Sequence, residues 1–136
     1  MSRLIAILLA VATVAACGPA DEQQVAERAV ATFHEAARRE SFKEIYAAAD
    51  PEFRGAIDEE SFLRLMRNVA DKLGAHVRAE LKAQHLDHRP SATLVMLGYQ
   101  SEFQRGLAIE RFVFKVAEGR ATLGSYNIHS PAFNAN

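Results

Sequence analysis

A change of hydrophobic period near residue 76 constrains this chain more than any other feature. Before it, apolar residues recur at intervals of three and four. After it they alternate with polar ones, first as Val77, Ala79, Leu81 and Ala83 set between Arg78, Glu80 and Lys82. The first interval is that of a helix with one buried stripe, and the second is that of a strand with one buried face. Each half therefore carries an apolar face that only the other half can cover. The chain is predicted to be α+β, with helices first and an antiparallel sheet second. The clearest part of the sheet half is residues 106–128, two strand-like runs joined by the glycine-containing turn Ala117-Glu118-Gly119-Arg120, which reads as a β-hairpin.

The helical half divides into three predicted helices. Asp21 and Gln24 form a capping-box pattern ahead of a helix over residues 22–39, whose inward stripe is Val25, Ala29, Val30, Phe33 and Ala37. His34 falls among the residues assigned to the polar side. Ser41 and Glu44 repeat the capping box before a second helix with Phe42, Ile45, Tyr46 and Ala49 inward, and Asp50-Pro51 stops it. Phe53 is expected to anchor the following link in the core. Asp58 caps a third helix running to Leu73, with Phe62, Met66, Val69 and Leu73 inward, Leu65 widening that face and Leu63 against a neighbour. Gly74 is placed to close it in a left-handed conformation. The acidic cluster Asp58-Glu59-Glu60 suits the first turn of a surface helix and needs no catalytic explanation.

In the sheet half, residues 77–83 are predicted as the first strand and residues 84–91 as a connecting loop, since Pro90 excludes a central strand there. Residues 93–103 form the second strand, apolar on both faces at its start and so expected to be central or covered on both sides. The third strand, residues 107–116, places Ala108, Glu110, Phe112, Phe114 and Val116 on one face and Leu107, Ile109, Arg111 and Val113 on the other. Residues 121–128 form the fourth. Three N-terminal helices on the concave side of a curved four-stranded antiparallel sheet make a cone with an open mouth.

The first residues follow a different rule. Arg3, the apolar run of residues 4–14 and the small residues Ala15 and Ala16 have the form of a secretory signal peptide, too short for a bilayer span of about 20 residues. Val14-Ala15-Ala16-Cys17 resembles a bacterial lipobox. That resemblance implies removal of residues 1–16 and acylation of Cys17, with residues 17–21 as a tether and residues 22–136 as one domain. Several acyl chains give stable anchoring where one is marginal. Gly18, in place of an aspartate, implies by the enterobacterial sorting pattern the outer membrane in preference to the inner, on the periplasmic side. Cys17 is the only cysteine, so no disulfide supports the domain. A formal net charge of -1 and the absence of a basic patch argue against a nucleic-acid partner.

The order of elements is similar to the cystatin-like cone of the nuclear-transport-factor-2-like (NTF2-like) fold. Phe53-Arg54, Glu60-Ser61-Phe62, Leu73-Gly74, Tyr99-Gln100-Ser101-Glu102-Phe103, Glu110-Arg111-Phe112-Val113-Phe114, and Gly124-Ser125-Tyr126-Asn127-Ile128 with Ser130 together resemble a family of small bacterial exported domains (DUF4019). The matches run from about residue 22 to residue 130. One departure is Ala121, after Gly119, where that family places a tryptophan. The resemblance implies a fold and an envelope location, and supplies no reaction.

His85, Asp87, His88 and Arg89 make the predicted loop the candidate partner-binding surface. With His76 or a carboxylate they approach metal-ligand spacing, but no H-E-x-x-H frame surrounds them, so neither metal nor cofactor is expected. Glu110, on the predicted inner face with Phe112, Tyr99 and Tyr126 nearby, is the candidate pocket carboxylate and needs a partner or a raised pKa. Arg54, Tyr99, Tyr126 and His129 are candidates for that partner, and Glu110 with His129 would imitate the acid–base pair of cone enzymes. Ser125 lacks a nucleophile frame. The reading is a non-catalytic envelope binding module for a protein or a small apolar ligand. The alternative is an immunity lipoprotein whose charged loop plugs a toxin delivered into the periplasm, and an enzyme is third. A second copy of the chain is a further candidate partner.

Overall fold

The computed structural model describes residues 19–134, with four helices preceding a curved four-stranded antiparallel sheet. The predicted leader, the lipobox and Cys17 lie outside the described residues. Helix α1, Pro19–Arg38, starts ahead of Asp21, which sits with Glu22 in the first turn instead of capping the helix. Residues 19–21, expected in the tether, are therefore helical. Ala26, Val30, Phe33 and Ala36 are buried along it, and so is His34.

The capping box expected at Ser41 does not form, because α1 uses that backbone for its own ending. Glu40 takes the left-handed conformation (φ 56°), Ser41 N–H donates to Ala36 O and Glu40 N–H to Ala37 O. This is a Schellman closure with a non-glycine residue at its left-handed position. Ser41 is left at ψ 50° with no side-chain cap bond to helix α2, Phe42–Ala48. The expected link after it is itself a short helix, α3, Pro51–Ala56. Asp50 accepts from Glu52 N–H and Pro51 occupies the first turn, where a missing N–H costs nothing. Phe53 is buried beneath α3, as expected. Helix α4, Glu59–Leu73, is capped by Asp58, which accepts from Ser61 N–H, and buries Phe62, Leu63, Met66, Val69 and Leu73. Gly74 closes it at φ 77°, and a Cβ there would lie 2.7 Å from Gln104 Oε1.

The strands β1 (His76–His88), β2 (Thr93–Phe103), β3 (Gly106–Ala117) and β4 (Arg120–His129) form a meander in the order β1-β2-β3-β4. Glu118 and Gly119 both have positive φ, the geometry of a tight primed hairpin turn. A single 3₁₀ turn, Pro131–Asn134, follows. Inward parity on β3 is as predicted: Ala108, Glu110, Phe112, Phe114 and Val116 are buried while Leu107 and Ile109 are exposed. Strand β2 is central, but its other face is uncovered at Met96.

Strand β1 departs most from expectation. It continues through the residues predicted as a loop, with His85 opposite Met96, Asp87 opposite Leu94 and His88 opposite Thr93. The start of β2 offers a free ladder edge, and backbone groups of residues 84–88 pair with it. Two register shifts, at His76/Arg78 and Leu81/Ala83, break the simple alternation. Val77, Ala79 and Ala83 are consequently exposed, and Leu81 and Leu86 are the apolar β1 side chains that pack on the core.

Helix α1 lies across all four strands. The core between helices and sheet is largely aromatic. Phe112 is fully buried and meets Phe33, Tyr126 and Phe114 at ring-centroid distances of 5.1, 5.0 and 5.9 Å.

Candidate functional site

Glu110 is the one buried carboxylate of β3, 1% exposed on a face otherwise made of Ala108, Phe112, Phe114 and Val116. Burial pushes its carboxyl toward the neutral form. That is outweighed by the hydrogen bond from His34, then by the His34 charge and the hydrogen bonds of Ser101 and Tyr126, so its pKa is lowered. As an ionised acceptor it takes His34 Nε2–H at 2.8 Å and Ser101 Oγ–H on Oε1, and Tyr126 O–H at 2.6 Å on Oε2. Each partner comes from a different element: His34 from α1, Ser101 from β2 and Tyr126 from β4. The network therefore staples the helix layer to three adjacent strands. Tyr126 is pushed well above its ordinary pKa by burial and by the Glu110 charge and hydrogen bond.

His76 completes the group. Its ring lies parallel to that of His34, with centroids 3.5 Å apart and an interplanar angle of 6°. Neither His76 nitrogen has a hydrogen-bond partner among the described residues, although both atoms are buried. Burial first, and then the His34 charge, lower its pKa to about 4, so the ring is neutral near pH 7. Ring nitrogens of His34 and His76 and a Glu110 oxygen all lie within 4.8 Å of one another.

These groups form one wall of a cavity of ≈ 270 Å³ between the C-terminal end of α1, α4 and the adjoining edge of the sheet. Phe33, Phe42, Met66 and Val69 supply its apolar lining, Arg38 and Arg105 bring two positive charges, and Glu40 brings a negative one beside that of Glu110. A larger cavity of ≈ 470 Å³ lies on the other side of α1, between Val25, Ala29, Ile45, Phe114 and Leu123, with no such convergence of polar groups.

Of the predicted pocket residues, Glu110 and Tyr126 line the smaller cavity, whereas Tyr99 and Phe112 are core rings outside its lining. His129 is exposed at the end of β4, opposite Ile109, and Arg54 is exposed on α3, so neither bonds to Glu110. The expected partner-binding loop is largely strand. Asp87 and Arg89 pair with each other at 3.0 Å, His88 bonds to Thr93 Oγ1, and Arg89 N–H donates to Ala92 O across the short turn. His34 and Ser101 were missed as site residues. His34 had a signal: Ala26, Val30 and His34 recur at intervals of four, on the stripe that α1 buries. Ser101 shares the inward parity of Tyr99 and Phe103 on β2.

No protein-family model matches the chain, and no curated protein matches it.

Proposed function

We propose that this protein is a lipid-anchored envelope protein that works by binding, and that the cavity beside His34, His76, Glu110 and Tyr126 takes a small amphipathic ligand. The observation that carries the reading is a polar constellation placed on the wall of an otherwise apolar cavity. Ligand sites combine an apolar lining with a few convergent polar groups in this way. A volume of ≈ 270 Å³ limits the ligand to a small molecule. Arg38 and Arg105 supply the donors for a carboxylate end, which must keep clear of Glu40 and Glu110 on the same lining, and an apolar body lies against Phe42, Met66 and Val69. Acylation of Cys17, with the domain on the periplasmic side and the outer membrane as its site, belongs to the same proposal and rests on the lipobox resemblance.

The test uses the full chain in detergent, with a series of short- and medium-chain carboxylic acids as probes. Saturating ligand at 100 times its Kd adds about 2.7 kcal/mol of stability, which is read as a raised Tm. Ala70→Phe, which fills the cavity from α4, should abolish the response. No Tm shift with any acid, or the same shift in Ala70→Phe, refutes the reading.

Two other readings have specific observations behind them. Polar groups converging within hydrogen-bond reach inside a cavity are what an acid–base enzyme requires, and His34 on Glu110 is such a pair. A bound acid derivative recovered chemically altered by the native chain, but intact after His34→Gln, would select that reading. Met96, Leu107 and Ile109 leave apolar surface on the sheet face away from the helices, which favours a protein partner there. The immunity reading rests on a charged loop at residues 84–91, of which residues 84–88 pair within β1 and residues 89–91 belong to the turn that follows.

A further inference from the structure

We infer that His34, His76 and Glu110 form a binding site for one divalent transition-metal ion of the zinc class. The inference rests on the cavity reading above and names an inorganic occupant for its polar wall. Its first support is convergence: ligand atoms from α1, β1 and β3 lie within 4.8 Å of one another. Four-coordinate ions bound at about 2.0–2.2 Å place their ligand atoms closer still, so the approach needed is small. The second support is independent of spacing. Both buried ring nitrogens of His76 have no partner among the described residues. A buried imidazole without a hydrogen bond is costly, and a metal bond satisfies it as well as a proton donor would.

The donor set decides the class of ion. Two imidazoles and one carboxylate match the zinc sites that keep a further position open, whereas calcium and magnesium prefer all-oxygen shells. Outer contacts of the kind such sites need are also present. Ser101 and Tyr126 hydrogen-bond to the Glu110 carboxylate and would orient it toward the ion. The cavity supplies room for a water or a ligand carboxylate at the open position.

One movement is required. The lone pairs of rings stacked 3.5 Å apart lie in two nearly parallel planes, and no ion can lie in both, so His76 must turn out of the stack to share an ion with His34. The backbone there is suited to it. His76 opens β1 directly after Gly74 and Ala75, and its pairing with β2 is irregular between His76 and Arg78. The cation takes the place of the hydrogen bond between His34 Nε2 and Glu110 Oε1, so His34 must present Nε2 without a proton on it.

The experiment uses the full chain in detergent, stripped with a chelator and titrated with Zn²⁺, and separately with Co²⁺ for its visible spectrum. One equivalent of Zn²⁺ per chain is expected, with the intense Co²⁺ bands of a four- or five-coordinate site. His76→Ala, a half-buried position at the start of an edge strand, should lose more than about 100-fold in affinity, since even outer contacts of metal sites are worth 10–100-fold. His129→Ala, an exposed histidine, should bind as the native chain does. No stoichiometric uptake, a weak six-coordinate Co²⁺ spectrum, or unchanged affinity in His76→Ala overturns the metal site. If the native chain fails to take up zinc but still gains stability from carboxylic acids in a manner blocked by Ala70→Phe, the metal inference falls and the cavity reading stands. If zinc binds and no acid does, the reverse holds.

Discussion

Replacing Tyr126 by phenylalanine deletes one oxygen and leaves the ring in place against Phe33 and Phe112, at centroid distances of 4.7 and 5.0 Å. What is lost is the donor at 2.6 Å from Glu110 Oε2, at a carboxylate only 1% exposed. Hydrogen bonds to charged groups contribute about 1.5–3 kcal/mol, and water cannot readily replace this one, so Tyr126→Phe should cost about 2–3 kcal/mol. Glu110→Gln keeps the shape but removes the charge. It also turns an amide N–H₂ toward either Tyr126 or the pair His34 and Ser101, each of which is a donor. Breaking a buried ionic network of this kind costs about 3–5 kcal/mol. The two changes share one interaction, so the double variant should be more stable than the sum of the single losses predicts, by at least about 1 kcal/mol. Urea unfolding followed by far-ultraviolet circular dichroism measures all four chains, with midpoints compared at constant m. Additivity within about 0.5 kcal/mol would mean that the tyrosine does not serve the carboxylate. A stabilising Tyr126→Phe would contradict the hydrogen bond itself.

The remaining predictions test the faces of the sheet, the alkaline limb and the anchor. Phe112→Ala should cost about 3–5 kcal/mol in thermal or urea unfolding, while Ile109→Ala, three residues away on the exposed face, should stay within about 0.5 kcal/mol; equal losses would contradict the inward parity of β3. Burial first, then the charges of Glu27 and Glu110, raise Tyr99 to about 12. Between pH 10 and about 12 the unfolded chain therefore releases a proton that the folded chain keeps, so stability falls as pH rises through that window, and a Tyr99→Phe chain should show a shallower decline. Cys17→Ser should abolish acyl mass in intact-mass analysis of the membrane-extracted protein; a native chain recovered soluble with an unmodified thiol would remove the anchor from the proposal.

Much of the architecture is a consequence of local pattern. The period change at residue 76 is enough to order helices before strands, because a stripe and a pleated face each need an apolar partner. Asp58 and Gly74 bracket α4 through short-range chemistry, a side-chain oxygen on a free N–H and a left-handed closing residue, and both act as their residue types imply. Parity alone places Glu110 with Phe112 and Phe114, since successive strand residues alternate faces.

What the pattern does not contain is the identity of neighbours across the core. Glu110 meets a histidine 76 residues earlier in the chain, and the nearer candidate, His129, points away. Helical periodicity marks a buried stripe but says nothing of which strand residue lies beneath each position; the angle at which α1 crosses the sheet decides that. Strand length was hidden for the same reason. Residues 84–88 look like a polar loop, yet β2 holds them as an edge strand because unpaired backbone groups on β2 need partners whatever side chains those partners bear. The stacking of His76 on His34 follows in turn from the α4–β1 connection at Gly74, whose left-handed turn sets where β1 begins beside α1. Local residue types order the elements and set the inward parity of β3, and the packing of α1 and α4 on the sheet determines which buried groups meet.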